Sequence, residues 1–188
     1  MKISVNDVRP GHVLEHQGKL WRAVKTEHVK PGKGPAYLQA EMKAIVEGTK
    51  LNERFRAAET VERVRLDEAQ YQFLYAEDAL LHFMEQENFE QVTLAKEMLG
   101  DQAVFLQEGM ICTVETYEGR ALGVSLPETV VLEVVEADPV VKGQTAAASY
   151  KPAILDNGVR IMVPPHIEAG TRVVVNTSEF SYVERARD

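Results

Sequence analysis

Hydrophobic and polar residues alternate over short stretches along most of this chain, and that pattern predicts β-strands. The first set of strands is predicted at 13–16, 19–25, 36–43, 50–56 and 60–64. A second set is predicted at 70–75, 79–84, 89–94, 111–117 and 121–126, and a third at 130–135, 153–155, 159–163, 172–176 and 180–183. One short helix of a turn or two is predicted at 95–99, where Gly100 would end it.

Short strands at this spacing are typical of β-barrels or β-sandwiches. Shifts in composition divide the chain into three units, 1–64, 65–127 and 128–188. Units of about 60 residues bury little apolar surface by themselves. We therefore expect each unit to close into a barrel and to contact its neighbour.

A lysine lies between two glycines and two prolines in the segment Lys30-Pro31-Gly32-Lys33-Gly34-Pro35. Proline presets φ for the second position of a type II turn, and the glycine after it, Gly32, would supply the positive φ that the turn needs next. Because predicted strands flank the segment, Lys33 is expected at the tip of a hairpin. Taken alone, the six residues also suit an ordinary solvated surface lysine.

The composition is that of a globular protein, with 45% hydrophobic and 27% charged residues in 188. No apolar run approaches the roughly 18 residues of a membrane span, and the first residues lack the apolar core of a signal peptide. We expect a cytoplasmic protein with no membrane partner. The single cysteine, Cys112, stands in an apolar run, which predicts a buried, inert thiol and no internal disulfide.

The net charge of −8 conceals an asymmetry along the chain. Residues 1–64 carry 12 Lys and Arg against 8 Asp and Glu, a net charge of +4. Residues 65–127 carry −9 and residues 128–188 carry −3. If the chain meets a polyanion, the first unit should face it, and the acidic middle should face solvent or a basic protein.

The sequence contains no clear catalytic or metal-binding motif. Gly32-Lys33-Gly34 lacks the spacing and the following Ser or Thr of a phosphate-binding loop. His12 and His16 are four apart, which suits a metal only on a helix, and this segment is predicted as a strand. The other histidines are scattered, so no metal site and no cofactor are expected.

Segments across the whole chain resemble the bacterial elongation factor P family. They are 30–37, 51–55, 59–62, 126–130, 138–146, 150–153 and 179–185. The resemblance implies an all-β fold of three small β-barrel domains, an SH3-like (KOW-like) first domain and two OB-type domains, arranged in an elongated L.

The resemblance also implies a non-enzymatic translation factor. Such a factor enters the ribosome between the P and E sites, contacts both subunits, and promotes peptide bond formation when consecutive prolines stall it. It implies that Lys33 contacts the acceptor end of the P-site tRNA. It further implies that a lysine-modifying enzyme extends Lys33, for example with β-lysine, while lysine at this place disfavours the arginine-rhamnose branch of the family. We expect a monomer.

Contacts with tRNA and the ribosome are expected from the hairpin, from two arginines of the basic unit and from the C-terminal Tyr-x-x-Arg. These residues are Lys30, Pro31, Gly32, Lys33, Gly34, Arg22, Arg54, Tyr182 and Arg185. The loop Gly143, Gln144 and Thr145 corresponds to the family loop that approaches the E-site mRNA codon. Many members have Asp in place of Gln144, and glutamine keeps the hydrogen-bonding capacity but not the charge.

Two other classes of function stay open on the sequence. A generic OB or SH3 RNA-binding module would usually offer several stacking aromatic rings, and the basic unit has few. An enzyme with Lys33 as an amine nucleophile would need a desolvating pocket, which a tip between Gly32 and Gly34 does not offer.

Overall fold

The structure is a computed structural model that describes residues 1–139 and 149–187. Its described part is built of β-strands and short 3₁₀ helices. Neighbouring strands pair in antiparallel orientation in all three sheets, for example Lys19–Val29 with Tyr37–Ala44, Asp67–Glu77 with Leu80–Glu85 and Thr129–Ala137 with Arg172–Asn176. The all-β prediction is thus confirmed.

The first sheet has six strands in the order β1-β6-β2-β3-β4-β5. They are β1 (Lys2–Ser4), β2 (Val13–His16), β3 (Lys19–Val29), β4 (Tyr37–Ala44), β5 (Lys50–Arg56) and β6 (Thr60–Val64). Alternation decides which side chains enter the core: Leu38, Ala40, Met42 and Ala44 of β4 are all buried. They pack with Leu14, Trp21 and Phe55, among others. This sheet corresponds to the SH3-like first domain that the resemblance implies.

The second sheet has five strands in the order β11-β10-β7-β8-β9. They are β7 (Asp67–Glu77), β8 (Leu80–Glu85), β9 (Gln91–Ala95), β10 (Ile111–Tyr117) and β11 (Arg120–Ser125). Phe73 and Phe83 meet edge to face, with ring centroids 5.5 Å apart. Cys112 is fully buried, and burial raises the pKa of its thiol to about 11. The prediction of a buried cysteine is confirmed.

The third sheet has five strands in the order β14-β13-β12-β15-β16. They are β12 (Thr129–Ala137), β13 (Lys151–Leu155), β14 (Arg160–Val163), β15 (Arg172–Asn176) and β16 (Ser181–Arg185). A turn at 156–158 joins β13 to β14, and its Gly158 has a φ of +86°. Phe105 is fully buried in the core of this sheet, with its ring centroid 4.8 Å from that of Phe180.

The prediction of a helix at 95–99 was wrong in the type of helix and in where the helical segment ends. A 3₁₀ helix covers Lys96–Met98, and a second one, Gly100–Phe105, begins at the glycine that was expected to end the helix. Gly100 has a φ of +57°, so it turns the chain between the two helices. A further 3₁₀ helix, Val5–Asp7, was not predicted; the Ser4 hydroxyl caps it by accepting the N–H of Asn6.

The chain forms two compact units, Met1–Ala69 with Val114–Gly123 and Gln70–Thr113 with Val124–Asp188. The division into three domains at 64/65 and 127/128 stays a prediction. Within the part of the chain that the structure describes, no helix is long and apolar enough to cross a membrane.

Candidate nucleic-acid interface at the lysine hairpin

A two-stranded stalk carries the lysine loop. Strand β3 (Lys19–Val29) pairs with β4 (Tyr37–Ala44) from Trp21 opposite Ala44 to Val29 opposite Tyr37, with a register shift between Ala23 and Lys25. Strand β3 therefore continues four residues past its predicted end. The loop 30–36 begins directly at the last cross-strand pair, so the ladder fixes its base.

Lys33 is exposed at the tip of this loop, as predicted. The type II turn predicted at Pro31 and Gly32 is wrong, because Gly32 does not have a positive φ. The positive φ, +108°, belongs to Gly34. Only glycine adopts such a backbone conformation readily, so Gly34 sets the return path of the chain into β4.

Two arginines and a tyrosine lie on the sheet beside the loop. The guanidinium carbon of Arg54 lies 4.2 Å from the centroid of the Tyr37 ring. Tyr37 is the first residue of β4, and Arg56 of β5 is its cross-strand partner. Both arginines are exposed and Tyr37 is half-buried. Positive charge and a planar group thus lie close to the base of the lysine loop.

Arg22 is placed differently from Arg54. Its Nη2 donates to the Glu115 carboxylate at 2.5 Å. Arg22 also precedes Lys30 by eight residues, a distance of about 26 Å along an extended strand. Arg22 is therefore held in an ion pair far along the stalk from the loop, and its contact with RNA stays a prediction.

The C-terminal Tyr-x-x-Arg motif lies on the last strand. Tyr182 is half-buried and packs against the core of the third sheet, with its ring edge to face with Tyr150 at 6.5 Å. Burial, followed by the neighbouring Tyr150 and Glu184, raises the pKa of Tyr182. Arg185 is exposed at the end of β16. The predicted mRNA-proximal residues Gly143, Gln144 and Thr145 lie outside the described residues.

The two histidines with helical spacing have partners of their own. Nδ1 of His12 accepts the backbone N–H of Arg9 at 3.2 Å, and burial, then Arg63 and Arg9, lower the pKa of His12. Nε2 of His16 lies 3.3 Å from the Glu53 carboxylate. In the described part of the chain, no group of three or more His, Cys, Asp or Glu is placed to hold a metal ion.

Tyr37 and Arg56 were not predicted as site residues. The alternation of β4 and β5 shows which of their residues share a face, but only the register shows that Tyr37 lies opposite Arg56 and diagonal to Arg54. A strong turn motif between the two strands could have given that register, and the connection contains only a lone Gly48.

The described architecture, three antiparallel sheets with short 3₁₀ helices, has counterparts among known proteins. A solved structure titled eukaryotic translation initiation factor 5A from Methanococcus jannaschii has the same fold over 68% of this chain and 92% of its own, with a TM-score of 0.55 and 19% identity. Sequence models of three elongation factor P domains match in order: the KOW-like domain at residues 4–61, the OB domain at 66–124 and the C-terminal domain at 130–185.

Full-length relatives agree with these matches. Elongation factor P of Parvibaculum lavamentivorans is 61% identical over 99% of this chain and 100% of its own, and that of Brucella canis is 60% identical over the same shares. The chain belongs to the elongation factor P family.

Proposed function

We propose that this protein binds the ribosome between the P and E sites and stimulates peptide bond formation where consecutive prolines stall it. The observation that carries the proposal is Lys33, exposed at the tip of a long antiparallel stalk in a member of this family. Such a stalk suits the delivery of a lysine side chain into a deep site. The acceptor end of the P-site tRNA is its target.

The proposed mechanism is positioning. Proline reacts slowly because its ring fixes φ and limits how the reacting groups align. An oriented contact at the tRNA end lowers the entropic part of that barrier. A gain of about 1.4 kcal/mol already speeds the step tenfold. The ribosome supplies the chemistry, so the factor needs no cofactor and is not itself an enzyme.

Lys33 acts in an extended form in this proposal. Its exposed side chain is open to a lysine-modifying enzyme, and an addition such as β-lysine lengthens its reach. The amine does not act as a nucleophile. A nucleophilic lysine needs a desolvated environment, whereas Lys33 and its neighbours Gly32 and Gly34 are all exposed.

Other parts of the chain hold the factor in place. Lys30, Pro31 and Arg54 flank the tip on the tRNA side, with Arg22 further along the stalk. Exposed Arg185 suits a contact with a tRNA phosphate, and Tyr182 of the same motif contacts tRNA by stacking. The loop at Gly143, Gln144 and Thr145 approaches the E-site codon. The factor works as a cytoplasmic monomer of three domains, 1–64, 65–127 and 128–188, and contacts both ribosomal subunits.

The test is translation in cells of the native host that lack the factor. A reporter with three consecutive prolines should be made slowly, and the wild-type chain should restore its synthesis. A matched reporter without the prolines should be unaffected. Equal synthesis of both reporters with and without the factor would contradict the proposal.

The second candidate function is that of a generic RNA-binding module, and a gel-shift assay distinguishes it from the proposed ribosomal function. Such a module would bind free single-stranded RNA as tightly as it binds ribosomes. The proposed factor should bind ribosomes much more tightly than free RNA, because its contacts are spread over several partners.

A further inference from the structure

The face of the first sheet that points away from the core carries a polar cluster beside the lysine loop. Cross-strand pairing places Tyr37 opposite Arg56 and Gln39 opposite Arg54. Side chains alternate between the two faces of a sheet, and the residues between them, Leu38 and Phe55, are buried. We call these four residues the outer cluster: Tyr37, Gln39, Arg54 and Arg56.

Within the outer cluster, the Tyr37 ring supports the side chain of Arg54. The guanidinium carbon lies 4.2 Å from the ring centroid, while Arg54 as a whole is exposed. The ring covers one side of the guanidinium group and leaves the other open to solvent. A planar cation that is held in this way loses little further freedom when a second planar group lies on it.

Several carboxylates lie near the outer cluster, but those of the described residues form no ion pair with its arginines. Glu41 follows Gln39 on the same face and lies diagonal to Arg54. Glu53, next to Arg54 in sequence, faces the other side and contacts His16. Glu59 accepts the backbone N–H of Arg56 at 3.0 Å. Glu27 pairs with Gln39 in the register, so it lies two strands from Arg54, about 10 Å away.

We propose that the outer cluster binds an unpaired nucleobase, which stacks on the open side of the Arg54 guanidinium while Arg56 contacts the adjoining phosphate. Single-stranded RNA is commonly recognised by bases that stack on aromatic rings or on arginine planes. Arginine suits this role because its cation is flat, and lysine has no plane to offer. The nucleobase class follows from the presence of a planar cation beside a second exposed arginine on the same face of the sheet.

The position of the cluster links it to the lysine loop. Tyr37 follows Lys33 by four residues, a chain span of about 14 Å at most. One RNA end can therefore touch Lys33 and the outer cluster together. This assignment rests on the proposed function for the identity of that RNA, and it adds a base contact where charge alone would give only phosphate contacts.

The test uses two short RNAs and three variants of the full chain. One RNA is a pentaribonucleotide of four cytidines and a 3′-terminal 2-aminopurine, whose fluorescence falls on stacking. The other has an abasic residue in place of the 2-aminopurine. Both carry a 5′ fluorophore for anisotropy, and binding is measured at low salt. The variants are Arg54→Lys, Tyr37→Leu and, as a matched control, Arg160→Lys, at an exposed arginine of β14.

The wild-type chain should bind the base-containing RNA on the order of tenfold more tightly than the abasic RNA, with quenching of 2-aminopurine. Arg54→Lys keeps the charge, so it should bind both RNAs about equally and without quenching. Tyr37→Leu should lose most of the preference, since the guanidinium group loses its support. Arg160→Lys should behave as wild type. Thermal unfolding of each variant checks that it is folded.

A wild-type chain without a base preference, including one without measurable binding, would overturn the proposal, and so would an Arg54→Lys variant that keeps the full preference. The proline reporter separates this outcome from failure of the proposed function. A chain that prefers the base-containing RNA but does not relieve proline stalls would keep the outer cluster as a base site and contradict only the ribosomal role.

Discussion

At the scale of single residues, the buried carboxylate of Glu85 stabilises the turn that follows it. Glu85 is buried, and its Oε2 accepts the backbone N–H groups of Glu87 at 3.0 Å and Asn88 at 2.6 Å. The turn that follows β8 contains Phe89 with a φ of +60°, a conformation that costs energy for a large side chain. The two hydrogen bonds to Glu85 help to fix this turn.

Glu85→Ala should therefore lower the free energy of unfolding by about 2 kcal/mol, because two backbone donors lose a charged acceptor. Glu87→Ala is the matched control, since Glu87 is exposed and contributes only its backbone N–H to the network. Its effect should stay within about 0.5 kcal/mol. Equal effects of the two substitutions in urea unfolding would contradict this role of Glu85.

Cys112 leads to a second prediction at the residue scale. Its side chain is fully buried, and the raised pKa of about 11 keeps the thiol protonated at neutral pH. Thiol reagents attack the thiolate and need access to it. The folded protein should therefore resist labelling by a disulfide reagent at neutral pH, and guanidinium-unfolded protein should take up one equivalent. Rapid labelling of the folded chain would show that the second sheet opens readily.

At the scale of elements, the lysine hairpin contains two glycines that flank Lys33 on either side but differ in backbone conformation. Gly34 has a φ of +108°, whereas Gly32 does not have a positive φ. A Cβ atom would meet nothing within 4 Å at Gly32 and only the Pro31 Cγ, at 3.8 Å, at Gly34, so backbone conformation rather than space distinguishes the two positions.

Gly34→Ala should redirect the loop and reduce the relief of proline stalls severalfold, because alanine at that φ costs about 1–3 kcal/mol. Gly32→Ala should retain most of the activity. The proline reporter measures both variants, and intact mass confirms that each carries the same modification at Lys33. An active Gly34→Ala variant beside an inactive Gly32→Ala variant would contradict the described loop.

The two glycines also show how much of the structure can be predicted from the sequence. Alternation gave β2, β5, β6, β10 and β15 at the bounds that the structure has, and in β10 and β15 the buried positions do repeat every second residue. It ended β3 too early, since the pattern breaks at the register shift between Ala23 and Lys25 and the far end of the strand depends on pairing with β4. The tip lysine could be predicted, but not which glycine takes the positive φ. The contact of Arg54 with Tyr37 could not be predicted either, because it requires the register of β4 against β5.

At the scale of the whole molecule, charge is distributed unevenly along the chain. The net charge is +4 over residues 1–64 and −9 over residues 65–127. The exposed cations of the first segment include Lys30, Lys33, Arg54 and Arg56 near the loop. Arg22 adds less free charge, because Glu115 pairs with it.

Ribosome binding should therefore depend on salt mainly through the first segment. Each phosphate contact that is lost should reduce the slope of log K against log salt by about one. Lys30→Glu or Arg54→Glu should flatten the slope, whereas Glu87→Lys and Glu90→Lys, which reverse exposed charges in the acidic segment, should change it little. Equal changes in slope from both pairs would contradict the charge argument.

The central claim is that an extended Lys33 positions the acceptor end of the tRNA, and Lys33→Arg tests it most directly. Arginine keeps the charge and a similar length but removes the primary amine that an acylating enzyme requires, and Lys33→Ala removes both. The measurement is synthesis of the three-proline reporter in the native host without its own factor, with the mass of each variant determined. We predict that the Lys33→Arg variant performs nearly as poorly as Lys33→Ala. Full activity of Lys33→Arg, with wild-type Lys33 unmodified by mass, would contradict the account and leave a plain electrostatic contact.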